Sequence, residues 1–374
     1  MDYKYTSPKK LGFGAMRLPT VDGVIDHEQV CQMVDMFLSR GFTYFDTAYV
    51  YHGGKSEVAL REALVKRYPR DSFTVATKLP AWEIKEQADV ERLFNEQLER
   101  LGVDYIDFYL LHNVNGSTLP IFDDNDCWTW LAGLKEKGLA KKVGFSFHDS
   151  AAKLDEVLTA HPFVDFVQLQ INYIDWKSEK VDSEGVYEVA ARHGKRVIVM
   201  EPVKGGLLAQ LPAEANAALA EAGSGSPASF AVRYAASLEN VLVTLSGMST
   251  LAQMDDNSSY MEEFKPLCDA ERAAIAKVVD ILNAVPTAPC TACKYCVEGC
   301  PMGIRIPNMI SVLNEMRRYG VNEKTMGSYK FAKGDGANAA DCIGCGQCET
   351  ACPQHLEIPA LLAELTQKVA GYKA

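Results

Sequence analysis

Eight of the eleven cysteines in this 374-residue chain fall into two runs, Cys290-x2-Cys293-x2-Cys296-x3-Cys300-Pro301 and Cys342-x2-Cys345-x2-Cys348-x3-Cys352-Pro353. This spacing wraps [4Fe–4S] clusters, so the first chemistry it suggests is the movement of single electrons. A cube of iron and sulfide needs four thiolates at its corners, and a tight loop of three nearby cysteines reaches only three of them. The fourth must come from elsewhere. Zinc, which also takes paired C-x2-C units, is the alternative ligand. The x3-C-P ending, present twice, favours clusters.

The second run repeats the first beyond its cysteines. Cys300-Pro-Met-Gly-Ile-Arg-Ile-Pro-Asn-Met-Ile310 matches Cys352-Pro-Gln-His-Leu-Glu-Ile-Pro-Ala-Leu-Leu362, both reading C-P-x-x-[IL]-x-I-P-x-x-[IL]. The later proline of each copy suits the first turn of a helix, where its missing N–H costs nothing. Between the runs, Met309, Ile310, Leu313 and Met316 keep a helical period. The region resembles the helical ferredoxin modules of many anaerobic oxidoreductases. In two-cluster ferredoxins the fourth thiolate comes from the other run. The resemblance therefore implies Cys290, Cys293, Cys296 and Cys352 around one cluster, and Cys342, Cys345, Cys348 and Cys300 around the second.

Composition bounds the rest. A chain that is 48% hydrophobic and 23% charged is globular, with room for one large domain and a small one. Its net charge of −11 disfavours nucleic acid and anionic membrane surfaces as partners. Met-Asp-Tyr-Lys-Tyr at the start lacks an apolar signal core, and no stretch approaches bilayer-spanning length, which leads to the expectation of a cytoplasmic protein. Cys31, Cys127 and Cys268 stand outside the runs and read as ordinary reduced thiols.

Ahead of the cysteines, short β-branched runs alternate with helical patterns, the mark of a parallel sheet covered by crossover helices. Eight strands are expected at Leu11–Met16, Tyr44–Asp46, Phe73–Lys78, Tyr105–Leu111, Lys142–Ser146, Phe166–Gln170, Arg196–Met200 and Val241–Leu245. Helix faces are expected at Val30, Val34, Phe37 and Leu38, and at Val90, Leu93, Phe94, Leu98 and Leu101. Ser226-Pro227 opens a further helix, and Asp269 caps the last one before the cysteines. The fold class is α/β: a (β/α)8 TIM barrel over residues 1–284, followed by a small α-helical ferredoxin-like iron–sulfur domain over 285–374.

Barrel active sites form at the C-terminal strand ends, and there polar residues replace an apolar run five times, at Asp46, Lys78, His112, Ser146 and Gln168. Each alone has a bland reading as a cap, a snorkelling side chain or a packed loop residue. Together, Gly41-Phe-Thr-Tyr-Phe-Asp46-Thr-Ala-Tyr-Val-Tyr51, Ala76-Thr-Lys78 and Tyr105-Ile-Asp-Phe-Tyr-Leu-Leu-His112 resemble the aldo/keto reductase family. The resemblance covers most of residues 10 to 260 and implies Asp46, Tyr51, Lys78 and His112 as the catalytic four. In that role Tyr51 gives the proton to the developing alkoxide, and the Lys78 ammonium makes it a better acid near neutrality. Asp46 holds Lys78, and a neutral His112 orients the carbonyl oxygen.

The resemblance also implies hydride from NADP or NAD, held by Ser146, Gln168, Met200, Gly247, Ser249, Gln253 and Asn257. The last four lie in Ser246-Gly247-Met-Ser249-x3-Gln253-x3-Asn257, which is similar to the family's adenosine-phosphate loop and opens a helix. Three nicotinamide contacts depart from the family. Met200 replaces a stacking ring, Phe147 replaces an amide donor, and Glu201 brings negative charge. Hydride carries two electrons and a cluster one, so FMN is a further candidate cofactor as the converter. Gly205-Gly206 is either a phosphate cradle or a flexible loop. Three readings follow: a carbonyl reductase of small molecules with clusters as electron relays; a reductase fed by a ferredoxin-like partner; and a non-enzymatic redox sensor or scaffold.

Overall fold

A computed structural model describes residues 3–178 and 181–372. The chain forms two compact units: Met1–Lys204 with Ala228–Cys268, and Gly205–Pro227 with Asp269–Ala374.

In the first unit, eight parallel strands close into a barrel: β1 (Leu11–Gly14), β2 (Tyr44–Asp46), β3 (Thr74–Pro80), β4 (Ile106–Val114), β5 (Ala140–Phe147), β6 (Phe166–Gln170), β7 (Arg196–Met200) and β8 (Val241–Ser246). β1 pairs with both β2 and β8, which closes the ring. All eight expected strands are present. β3 and β4 run longer than expected, so Lys78 and His112 sit inside strands; within β4 Asn113 turns to φ 63°, and the register with β5 slips between Leu111 and Val114.

Side chains alternate between the barrel interior and the layer under the helices. Tyr44, Ala76, Phe108, Leu110, Phe166 and Ile198 fill the interior. Phe13, Phe45, Val75, Phe145, Val167 and Val199 face the helices, where Val30, Phe37, Val90, Leu93 and Phe94 meet them. Gly144 permits the β5–β6 approach: a Cβ there would lie 2.3 Å from the Phe166 carbonyl oxygen. Pro227 opens its helix as expected, running to Ala236.

In the second unit, helix Ala213–Ala220 packs on helix Asp269–Ala284, which Asp269 opens from within its first turn. Helices Ile306–Tyr319 and Ile358–Ala370 each begin with the repeat's isoleucine and proline, and pack against each other. Met309, Ile310, Leu313 and Met316 are buried there, as their period required. Among the described residues no helix is long and apolar enough to cross a membrane.

Candidate active site and cluster sites

β2 and β3 lie side by side, with Asp46 opposite Ala76, so Lys78, two residues further along β3, points into the same interior as Asp46. The Lys78 ammonium bonds Asp46 Oδ1 and the Thr47 carbonyl, both at 2.6 Å, with the two side chains 1% and 4% exposed. Gln168 on β6 donates to the other Asp46 oxygen at 3.1 Å. Neither a helix cap nor a snorkelling lysine describes this buried pair. Burial alone would push the Lys78 ammonium down, but Asp46 and Tyr51 outweigh it and hold the pKa above the ordinary lysine value. Burial pushes the Asp46 carboxyl up, and Lys78 and Gln168 oppose it.

Tyr51 sits on the loop after β2, with the Lys78 ammonium 5.0 Å from its ring centre. Two left-handed residues, His52 and Gly53, bend this loop, and His52 Nε2 accepts the Leu18 N–H at 3.1 Å, tying it to the loop after β1. Lys78 lowers the Tyr51 pKa, as expected, but not enough to set its net direction. Burial outweighs the lysine, with Asp46 and Glu201 adding to it, and the phenol stands above its ordinary value. The His112 ring lies 6.0 Å from that of Tyr51, centre to centre. Burial, then Lys78 and His148, push its pKa down to about 3, so the imidazole is neutral at physiological pH. Its Nδ1 is buried with no hydrogen-bond partner among the described residues.

Behind this layer lies a network that sequence reasoning missed. Gln97, on helix Gln87–Leu101, donates to Glu57, Thr77 and the Lys78 carbonyl and accepts from Tyr109. Thr77 also donates to Glu57 at 2.6 Å. One polar position amid the apolar face of that helix was the available signal.

The residues expected to hold a nicotinamide divide into two groups. Ser146, Gln168 and Met200 line the barrel interior on the same face as Asp46, Lys78 and His112, with Ser146 accepting the Asn113 N–H at 2.7 Å and lying opposite Gln168. Gly247, Ser249, Gln253 and Asn257 gather after β8. There Gln253 accepts the Ser249 N–H at 2.8 Å, while Asn257 is buried and bonds Ser246 and Tyr260. Thr250 caps the helix that follows. The Arg17 side chain packs along Gly247, so the loop does have a cation, contributed from 230 residues away and invisible to local pattern.

Phe147 turns away from the mouth and packs with Phe145 under the helices, so the site lacks an amide donor there but gains no bulk. Glu201 takes φ 55° and Lys204 φ 48°. Lys204 pins the turn by bonding both Asp175 oxygens at 2.7 Å, and Asp175 also accepts from Gln170 and Asn172. Burial raises the Glu201 carboxyl, opposed by Lys204 and Arg17. Trp82 lies 5.2 Å from His112 and is 46% exposed, which places it at the site; Trp128 and Trp130 instead pack among outer aromatics.

In the second unit the thiols surround two cavities. Cys290, Cys293, Cys296 and Cys352 line one, and Cys300, Cys342, Cys345 and Cys348 line the other. Each thus takes three thiols from one run and the fourth from the other. Among the described residues, no three cysteine, histidine or carboxylate ligands converge on a single-ion position. Four thiols spread around a hollow suit a polyatomic cluster, and the linings fit two such groups.

Comparison with known proteins agrees with this layout. Residues 10–280 match the aldo/keto reductase family, and residues 289–356 match the 4Fe-4S dicluster domain. An aldo-keto reductase of Mycolicibacterium vanbaalenii is 32% identical over 226 residues, 60% of this chain and 75% of that protein. L-galactose dehydrogenase of Arabidopsis thaliana is 27% identical over 298 residues, 74% of this chain and 91% of that one. Among solved structures, the holo form of an aldo-keto reductase from Bacillus halodurans superposes with a TM-score of 0.59 at 24% identity, covering 73% of this chain and 94% of that one.

The barrel and its matches define an oxidoreductase. The chain belongs to the aldo/keto reductase family, and a dicluster iron–sulfur domain follows its barrel.

Proposed function

We propose that this oxidoreductase reduces the carbonyl of a small molecule, with Tyr51 as proton donor. The observation that carries the reading is the buried Asp46–Lys78 pair set beneath Tyr51 and beside a neutral His112. Lys78 stays charged because Asp46 lies against it, and that charge stabilises a phenolate once Tyr51 has given its proton to the alkoxide. A neutral imidazole holds the carbonyl oxygen by a hydrogen bond without competing for the proton. Ser146, Gln168, Met200, Gly247, Ser249, Gln253 and Asn257, with Arg17 beside them, are the residues that would hold NADP or NAD. When bound, that cofactor would supply hydride, and clusters in the two thiol-lined cavities would supply one-electron transfer.

The departures at Met200, Glu201 and Phe147 support a second reading. In it, a ferredoxin-like partner feeds the clusters, and the barrel holds a flavin such as FMN or takes electrons directly. Tyr51→Phe separates the two. Under the first reading carbonyl reduction with NADPH or NADH falls at least a hundredfold while cofactor binding persists; a variant retaining most of that activity sinks it. An anaerobic visible spectrum adds a second measure. Bleaching of the cluster absorption by NADPH or NADH couples hydride to clusters, whereas bleaching by dithionite alone favours the ferredoxin-fed reading.

A further inference from the structure

The repeat that relates the two cysteine runs also relates the linings of the two cavities, position by position. Most matched pairs are apolar in both, such as Leu356 with Ile304 and Ile358 with Ile306. Three pairs differ, all in the same direction. Thr291, Lys294 and Gln354 line the first cavity where Ile343, Gly346 and Met302 line the second.

The lysine is also conformationally out of place. Lys294 holds φ 68° where its counterpart is Gly346 at φ 73°. Left-handed backbone suits glycine and strains any residue with a Cβ, so the first run carries a cation at a position where glycine would be relaxed. The second cavity has the opposite charge nearby: a Cβ on Gly346 would lie 3.8 Å from a Glu349 carboxylate oxygen, and the counterpart of Glu349 is Val297.

Solvent exposure does not account for a difference between the sites. Cys293 and Cys345 are both exposed, Cys296 and Cys348 both buried, and the other four all half-buried. Adding an electron makes a cluster more negative. An ammonium or a polar side chain carried on the loop around a cluster stabilises that form more than a carboxylate or an apolar side chain at the same place.

Resting on the reading of the two cavities as cluster sites, we propose that the cluster held by Cys290, Cys293, Cys296 and Cys352 has the higher reduction potential of the two. A single electron given to the pair therefore resides there. In that exchange the other cluster is oxidised by one electron and this one is reduced by one, with no bond or proton changed.

The test is an anaerobic potentiometric titration of the cluster-loaded full chain with dithionite, followed by electron paramagnetic resonance. Two separate one-electron steps are expected. Lys294→Gly should move only the higher step down, by tenfold or more in the reduced-to-oxidised ratio at fixed potential, which is 59 mV for one electron. Met302→Gln should move only the lower step up. Coincident steps in the wild type, or a Lys294→Gly variant that leaves the higher step in place, overturn the proposal. If Lys294→Gly fails to take up iron, Met302→Gln decides alone: a raised lower step supports the proposal and an unmoved one overturns it. Iron and sulfide content tests the underlying reading separately, since a chain that binds no clusters refutes the cluster sites themselves.

Discussion

Removing both members of the Asp46–Lys78 pair should cost the barrel clearly less than the sum of removing each alone. The charges stand 2.6 Å apart, with side chains 4% and 1% exposed. At an effective dielectric constant of about 20 their attraction is about 6 kcal/mol. Desolvation of the two ions opposes it at several kcal/mol each, so the net value of the pair is small. A single substitution leaves the partner's charge buried and uncompensated, at about 3–5 kcal/mol. Asp46→Asn should fall near the lower end, because Lys78 keeps the Thr47 carbonyl. The double variant Asp46→Asn/Lys78→Met leaves no orphan charge and should recover at least about 2 kcal/mol relative to the sum of the singles. Tryptophan fluorescence during urea unfolding is the assay. Trp82, Trp128, Trp130 and Trp176 all lie in the first unit, so the signal follows the barrel alone. Costs that add to within about 0.5 kcal/mol would refute the argument, since additivity is the behaviour of independent sites.

Three further outcomes are expected. His112 titrates at about 3 in the folded chain against 6.5 unfolded, so the unfolded state binds the extra proton between those values and stability falls as pH drops from 6.5 toward 3; His112→Asn should flatten that slope in unfolding measured across the window. Gln97→Leu strips partners from Glu57, Thr77, Tyr109 and the Lys78 carbonyl and should destabilise the barrel by about 2–3 kcal/mol by urea unfolding, whereas a change under about 0.5 kcal/mol would show the network to be idle. Gly144→Ala drives a Cβ into the Phe166 carbonyl at 2.3 Å and should cost about 3 kcal/mol, read as a lowered melting temperature.

Strand positions were legible in the sequence because parallel strands buried on both faces read as compact apolar runs, and all eight appear where those runs fall. Of the four proposed catalytic residues, Asp46, Lys78 and His112 were legible because each stands at a break in such a run, while Tyr51, in the loop after β2, was legible only through the family resemblance. Arg17 was not, since only barrel closure brings β1 and β8 together and lays its side chain along Gly247. Glu57 and Gln97 were hidden for a different reason: a polar residue within an amphipathic helix looks solvated until the strand behind it is in place. The direction of the Lys78 effect on Tyr51 was legible but the net shift was not, because a sequence names the neighbouring cation but gives no measure of burial, and burial is the larger effect.

The second unit takes its residues from two separated stretches, Gly205–Pro227 and Asp269–Ala374. During synthesis the chain therefore leaves one unit after Lys204, makes a piece of the other, and returns at Ala228 to finish the barrel. Helix Ala213–Ala220 is synthesised well before Asp269–Ala284, the helix it packs on, and both precede the first cysteine run in the chain. The order of synthesis is thus the last barrel strand first, then helix Asp269–Ala284, then the thiols. A gene cut at a single point cannot separate the two units, because neither is one continuous length of chain.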